Sequence, residues 1–210
     1  IRRYELPGRN PVDRLSETRQ WNRVKRRVSV LNESRLRSWS LALETIDNRT
    51  VRDYLVFLLF TGARRSEAAA LQWPDVDFAG EGVTFRDTKN GEDHVLPMSE
   101  FLAELLSKRY EAAKRTPFVF GGRTGPIRDI KRQQATIGRL SGGSFMIHDL
   151  RRTFLTVADA CDIPFHLIKR LANHRSRDVT AGYIVPSVER MRRPMEIISR
   201  ELVRLTDLKP

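Results

Sequence analysis

Between Asn48 and Gly62 the chain carries seven consecutive apolar or aromatic residues, Tyr54–Phe60, and this run constrains the fold more than any other feature. Asparagine caps the free N–H groups of a helix start, and glycine accepts the left-handed backbone that ends one. Val51, Tyr54, Leu55, Leu58 and Leu59 recur at helical spacing, which predicts one helix from Asn48 to Gly62. The run falls far short of the ~20 residues of a membrane span. Being the longest in the chain, it also argues against a signal-peptide core, so a soluble, unexported, cytoplasmic protein is expected.

The same reasoning extends along the chain. Asn32 should cap a helix bearing Leu36, Trp39 and Leu43, and a short helix Ser66–Leu71 should end at Trp73-Pro74. Val83 and Phe85, then Val95 and Pro97, flank Asn90-Gly91, a dipeptide suited to a tight hairpin. Further helices are expected over about 99–113, 127–139, 148–160, 164–171 and 187–205. An extended piece Phe118–Phe120 should join the sheet, followed by a turn at Gly121-Gly122 and Gly125-Pro126. The last helix carries a narrow apolar stripe, Val188, Met191, Met195, Ile198, Leu202 and Leu205, which Pro194 should interrupt or kink. The class is mainly α with a small antiparallel β-sheet (α+β).

Charge narrows the partners. Thirty-eight Lys and Arg against 26 Asp and Glu leave a net charge of +12, which calls for a polyanion. Composition alone leaves DNA, RNA and an anionic membrane surface open, with nucleic acid favoured. Residues 1–30 hold nine basic and three acidic residues and little core, so they read as a basic arm or linker ahead of a domain spanning 31–210. Cys161 has no partner for an internal disulfide and reads as a small buried hydrophobe. The four histidines, His94, His148, His166 and His174, form no recognisable metal-ligand pattern, so no metal is expected.

Four segments carry candidate chemistry. Thr61-Gly62-Ala63-Arg64-Arg65-Ser66-Glu67 puts two arginines at a turn between helices, where free N–H groups and guanidinium could hold an anion. Lys89 stands just before the Asn90-Gly91 tip, where its stem could reach a ligand. His148 and Arg151 are three residues apart at a helix start and share a face. His174 lies in a turn nine residues ahead of Tyr183, a possible nucleophile with a cationic or acid–base neighbour. Taken singly, each segment is equally well a surface charge, a structural histidine or a packed tyrosine.

Together and in this order, the segments resemble the tyrosine recombinase (phage integrase) family. Its catalytic domains carry an Arg in a T-G-x-R-x-S-E segment, a hairpin Lys, an H-x-x-R helix start, and a His followed nine residues on by a nucleophilic Tyr. Leu71-Gln72-Trp73-Pro74-Asp75-Val76-Asp77 is similar to the family's L-x-W-x-D-V-D continuation, and the likeness runs from about residue 34 to the C-terminus. The one departure is Asn173, where the family usually has glycine; asparagine tolerates left-handed backbone better than most residues.

The resemblance implies the roles. Arg64 and Arg151 bind the scissile phosphate, His174 donates to a phosphate oxygen, and Lys89 protonates the leaving 5′-oxygen. His148 is an acid–base or orienting group, Glu67 supports Arg64, and Tyr183 forms a 3′-phosphotyrosine link. Arg65 and Arg152 are neighbours without those roles. It implies site-specific integration or excision of a phage or mobile element without any cofactor, since the covalent ester keeps the bond energy. It further implies double-stranded DNA sites as partners, a homotetramer on DNA, accessory bending or directionality proteins, and residues 1–30 as the tail of a preceding DNA-binding domain. The segment 187–210 packs either on its own domain or on a neighbouring subunit. Two rivals remain: a type IB topoisomerase, which shares the chemistry but does not exchange strands, and a regulator that keeps the fold without the chemistry.

Overall fold

A computed structural model describes residues 13, 16–18, 29–113, 116–122, 125–174 and 187–210. Most of the basic arm 1–30, and Tyr183, lie outside the described residues. Helix α1 spans Glu33–Glu44 and α2 spans Arg49–Thr61; the side chains of Asn32 and Asn48 accept from the N–H groups of Arg35 and Val51. Gly62 ends α2 at φ 61, and a Cβ there would lie 2.5 Å from the Phe154 ring, so both backbone and packing demand glycine. Helix α3 (Arg65–Ala70) is followed by a 3-10 turn, Trp73–Asp75. Then come β1 (Val76–Asp77), β2 (Gly82–Phe85), β3 (His94–Pro97) and α4 (Glu100–Ala112), whose cap is Ser99. A two-stranded ladder of β4 (Gly121–Gly122) and β5 (Gly125–Pro126) precedes α5 (Lys131–Leu140), α6 (Ile147–Ala160), α7 (Phe165–Leu171) and α8 (Val188–Thr206).

Strands β1, β2 and β3 form an antiparallel sheet in that order, with Val83 opposite Val76 and Leu96, and Phe85 opposite His94. Helix α2 lies at the centre of the molecule: every residue from Asp53 to Thr61 is buried, and α3, α4, α6 and α8 pack around it. Phe57 meets Phe85 of the sheet and Phe120 beyond α4, while Phe60 stacks on Phe101 at 4.0 Å between ring centres. A buried ion pair also ties this core. Arg109 donates to Asp53 at 2.9 Å, to the Thr50 hydroxyl and to the Val119 carbonyl, and lies over the Phe120 ring.

Four local expectations change. Phe118 bridges to Gln72, and Val119 N–H donates to Leu71 O, so the 118–120 piece fastens the link after α3 and does not extend the three-stranded sheet. Helix α5 begins at Lys131, not near 127, because Ile127 N–H is drawn to Phe120 O beside the β4–β5 ladder. The tip between β2 and β3 is not a two-residue hairpin: Gly91 N–H closes on Thr88 O at 2.7 Å, making Lys89 and Asn90 the central residues of a turn inside a longer loop. Pro194 does not interrupt its helix, since α8 runs continuously from Val188 to Thr206. A proline inside a helix costs about 3 kcal/mol. Met191, Met195, Ile198 and Leu202 are all buried here, and at roughly 1.5–3 kcal/mol apiece their burial outweighs it. In the single chain this stripe packs on α1, α6, α7 and β3 of its own domain.

Candidate active site

Arg64 stands at the junction of α2 and α3. Glu67, one turn on, grips it twice: one carboxylate oxygen accepts from the Arg64 backbone N–H at 3.1 Å, the other from the guanidinium at 2.7 Å. The side chain is thereby aimed before any ligand arrives, and its other terminal nitrogen donates to Asn173 O at 3.0 Å. Arg151 rises from the second turn of α6 and is only 3% exposed. Its guanidinium donates to Gly62 O and to Ala172 O. Two arginines that are 87 residues apart in sequence therefore attach to consecutive carbonyls, those of Ala172 and Asn173, in the turn that carries His174.

This turn follows α7. His174 N–H donates to Lys169 O, and Asn173 takes the left-handed conformation at φ 50, which asparagine accepts at small cost. The Lys89 turn is fastened to the same place. Asn90 Nδ2 donates to Asn173 O at 3.0 Å and to Asn173 Oδ1 at 2.8 Å, and Asn173 Nδ2 donates to Thr88 Oγ1 at 3.0 Å. Lys89 itself is exposed at the tip. His148, also exposed, opens α6 one turn before Arg151.

Electrostatics couple the members of the group. Burial, then the Arg64 charge, pull Arg151 down to about 10. His174 is lowered by burial and then by Arg151 and Arg64; His148 is lowered by burial and then by Arg152 and Arg151. Both imidazoles therefore favour the neutral form, which carries one N–H donor each. A shared anion would relieve the repulsion between the two guanidinium groups.

Arg65 and Arg152 take other partners. Arg65 donates to Arg128 O, and Arg152 to Asp149 at 3.2 Å. Six of the seven residues singled out in the sequence are described, and five of them, Arg64, Glu67, His148, Arg151 and His174, share one hydrogen-bonded and electrostatic cluster; Lys89 joins it through its neighbours. Three contributors were not singled out in the sequence. Asp149 is 2% exposed and accepts from Met146 N–H and Ser29 Oγ, so it caps α6 and anchors the entering chain. An acidic residue three positions into a helix could have flagged it. His94, at the root of the hairpin, meets Leu171 O through Nε2 at 3.3 Å, and Asn90 ties the Lys89 turn to Asn173. Among the described residues no three His, Cys, Asp or Glu side chains gather closely enough to hold a metal ion.

The prophage integrase IntF of Escherichia coli (strain K12) is 27% identical over 179 residues, covering 81% of this chain and 36% of that protein. The tyrosine recombinase XerA of Thermococcus onnurineus (strain NA1) is 28% identical over 163 residues, covering 73% of this chain and 58% of its own. The chain thus spans roughly a third to three-fifths of these relatives. Among solved structures, the integrase from mycobacterium phage Brujita superposes with a TM-score of 0.64 over 88% of this chain and 66% of its own, at 18% identity. A lambda integrase (75-356) dimer bound to a COC' core site gives 0.59 over 75% of this chain and 62% of its own, at 19% identity. These likenesses show the fold. The phage integrase family model matches residues 30–190, the span that holds every residue of the cluster, and the chain belongs to that family.

Proposed function

We propose that this chain is the catalytic domain of a site-specific DNA recombinase that cuts and rejoins strands through a 3′-phosphotyrosine at Tyr183. One observation carries the reading: Arg64 and Arg151 converge on the adjoining carbonyls of the His174 turn. The scissile phosphate's non-bridging oxygens are held by Arg64, Arg151 and His174, whose fixed donors stabilise the pentacoordinate arrangement more than the ground state. The Tyr183 oxygen attacks phosphorus, and its proton passes to His148. The bond from phosphorus to the 5′-oxygen breaks while Lys89 delivers a proton to that oxygen. Reversal with a new 5′-hydroxyl rejoins the strand, and the ester stores the energy, so no cofactor is consumed.

The partners proposed are double-stranded recombination sites, four copies of the full-length protein on DNA, and accessory proteins that bend DNA or set direction. Residues 1–30 are proposed as the linker from a preceding DNA-binding domain, with the whole acting in the cytoplasm on a phage or other mobile element. The net charge of +12 supports a DNA partner.

The test is a trapping experiment. Nicked suicide duplexes recovered from a randomised pool by covalent capture on the unaltered chain should map their adduct to Tyr183. Tyr183→Phe should still bind the recovered duplex while forming no adduct. An adduct that persists in that variant would sink the nucleophile assignment, and strand exchange between two copies of the site separates a recombinase from a topoisomerase.

A further inference from the structure

We propose that Asn173 is a positioning residue, whose side-chain amide clasps the Lys89 turn to the His174 turn so that Lys89 and Arg64 close on one phosphate. The inference rests on the reading of Lys89 as the general acid.

The geometry begins at Thr88. Its hydroxyl hydrogen is committed to Glu92 O at 2.8 Å, so towards Asn173 the hydroxyl can only accept. That sets the orientation of the Asn173 amide: Nδ2 donates to Thr88 Oγ1 at 3.0 Å, leaving Oδ1 to accept from Asn90 Nδ2 at 2.8 Å. Thr88 and Asn90 bracket Lys89, so the two bonds hold the turn on both sides of the lysine. The Asn90 amide also reaches the Asn173 carbonyl, which accepts from Arg64 as well. One peptide oxygen thus joins the Arg64 guanidinium to the lysine turn.

The turn needs such a tether. Lys89, Gly91 and Glu92 are exposed; Arg86 ties the start of the loop to Asp75 at 2.8 Å, while Arg86 to Asp93 and Thr88 N–H to Glu92 O order it internally, and none of these bonds reaches the His174 turn. Asn173 is the residue best placed for this task. Its φ of 50 would suit glycine equally, yet glycine would offer no side-chain amide. A proton donor misplaced by about 1 Å loses much of its effect, so a clasp of two neutral hydrogen bonds can act on the rate without touching the DNA.

Asn173→Gly keeps the backbone and the Arg64 contact and removes only the amide. On a captured nicked duplex with oxygen at the bridging 5′ position, we expect cleavage about tenfold slower than the unaltered chain, equivalent to about 1.4 kcal/mol, with DNA binding unchanged. On the same duplex with sulfur there, the leaving thiolate needs no proton, so Asn173→Gly and Lys89→Ala should both return to the unaltered rate. Asn90→Ala, which removes the bonds to Asn173 Oδ1 and to the Asn173 carbonyl but keeps the one to Thr88, should likewise be slow on oxygen and recover on sulfur, and hydrogen exchange at the Gly91 amide should quicken in both. If Lys89→Ala is rescued by sulfur while Asn173→Gly is slow on both duplexes, or slow on neither, the clasp is overturned and the lysine reading stands. If Lys89→Ala is not rescued, both fall together.

Discussion

Arg151 and Lys89 serve one proposed reaction from opposite kinds of structure. Arg151 is buried and hydrogen-bonded to two backbone carbonyls at helix ends, so its position follows from the packing of α2, α6 and α7. Lys89 is exposed on a turn whose link to the body runs through the side chains of Thr88, Asn90 and Asn173. The floor proposed to bind phosphate is part of the frame of the protein; the proposed proton donor is hung on it. Groups that stabilise charge work best when preorganised, and a proton donor works only when held in reach; the first is secured here by packing, the second by a few side-chain hydrogen bonds.

Arg151→Ala should give the largest effect, because it strikes frame and chemistry at once. It should lose about 2–4 kcal/mol of transition-state stabilisation. It also strips a donor from the Gly62 and Ala172 carbonyls, at about 1–3 kcal/mol for each group left buried and unsatisfied. Arg64→Ala should match the first loss with a smaller second one, since that side chain is 22% exposed. Single-turnover cleavage and thermal melting separate the two, and an Arg151→Ala protein with unchanged melting would break the distinction between floor and tip.

Next comes the root of the hairpin. His94 is 5% exposed, and burial first, then the charges of Arg170 and Arg151, lower it to about 4, against an ordinary 6.5. Its stabilising contribution is therefore complete above pH 6.5. As pH falls the unfolded chain takes up the proton first, and the folded state loses about 3 kcal/mol by the time pH has dropped through 4. His94→Gln, which keeps a donor for Leu171 O, should flatten that part of the acid limb in urea titrations at pH 7 and 4.5. An unaltered acid limb would mean the hairpin root is not buried in solution.

Lys89→Ala should leave melting unchanged within about 0.5 kcal/mol while slowing cleavage on the order of a hundredfold. A clear drop in stability would make the lysine part of the frame after all. The smallest effects belong to Arg65→Ala and Arg152→Ala, about 1 kcal/mol or less in either assay, because Arg65 turns to Arg128 O and the Arg152 pair with Asp149 is partly exposed. Losses at these two positions equal to those at Arg64 and Arg151 would show that the choice within each arginine pair is wrong.

Much of this was legible in sequence because its causes are local. The caps at Asn32, Asn48 and Gly62 act within one helical turn, and the helices they bound lie where the residues predict. The candidate cluster was legible as an ordered set of residue types, although no single segment sufficed. What stayed hidden depends on neighbours distant along the chain. The Asp53–Arg109 pair closes across 56 positions, and the Arg151 bond to Gly62 O across 89. Periodicity could not tell that Pro194 would be carried by the burial around it, or that Phe118 would bridge to Gln72 instead of joining the sheet. For Asn173 the residues showed that a left-handed turn was possible; the contact of its amide with Thr88 and Asn90 arises only when the loop after β2 folds against the end of α7.

The sequence by itself determined the helical class, the helix starts and stops, the positive charge and the family, since propensity, capping and charge are properties of short stretches. Tertiary structure alone decided that Arg64 reaches Asn173 O and Arg151 reaches Gly62 O, and that the Lys89 turn is tied to the His174 turn. Those choices turn on single hydrogen bonds between groups more than 80 residues apart, whose partners exist for one another only once the core around α2 has closed.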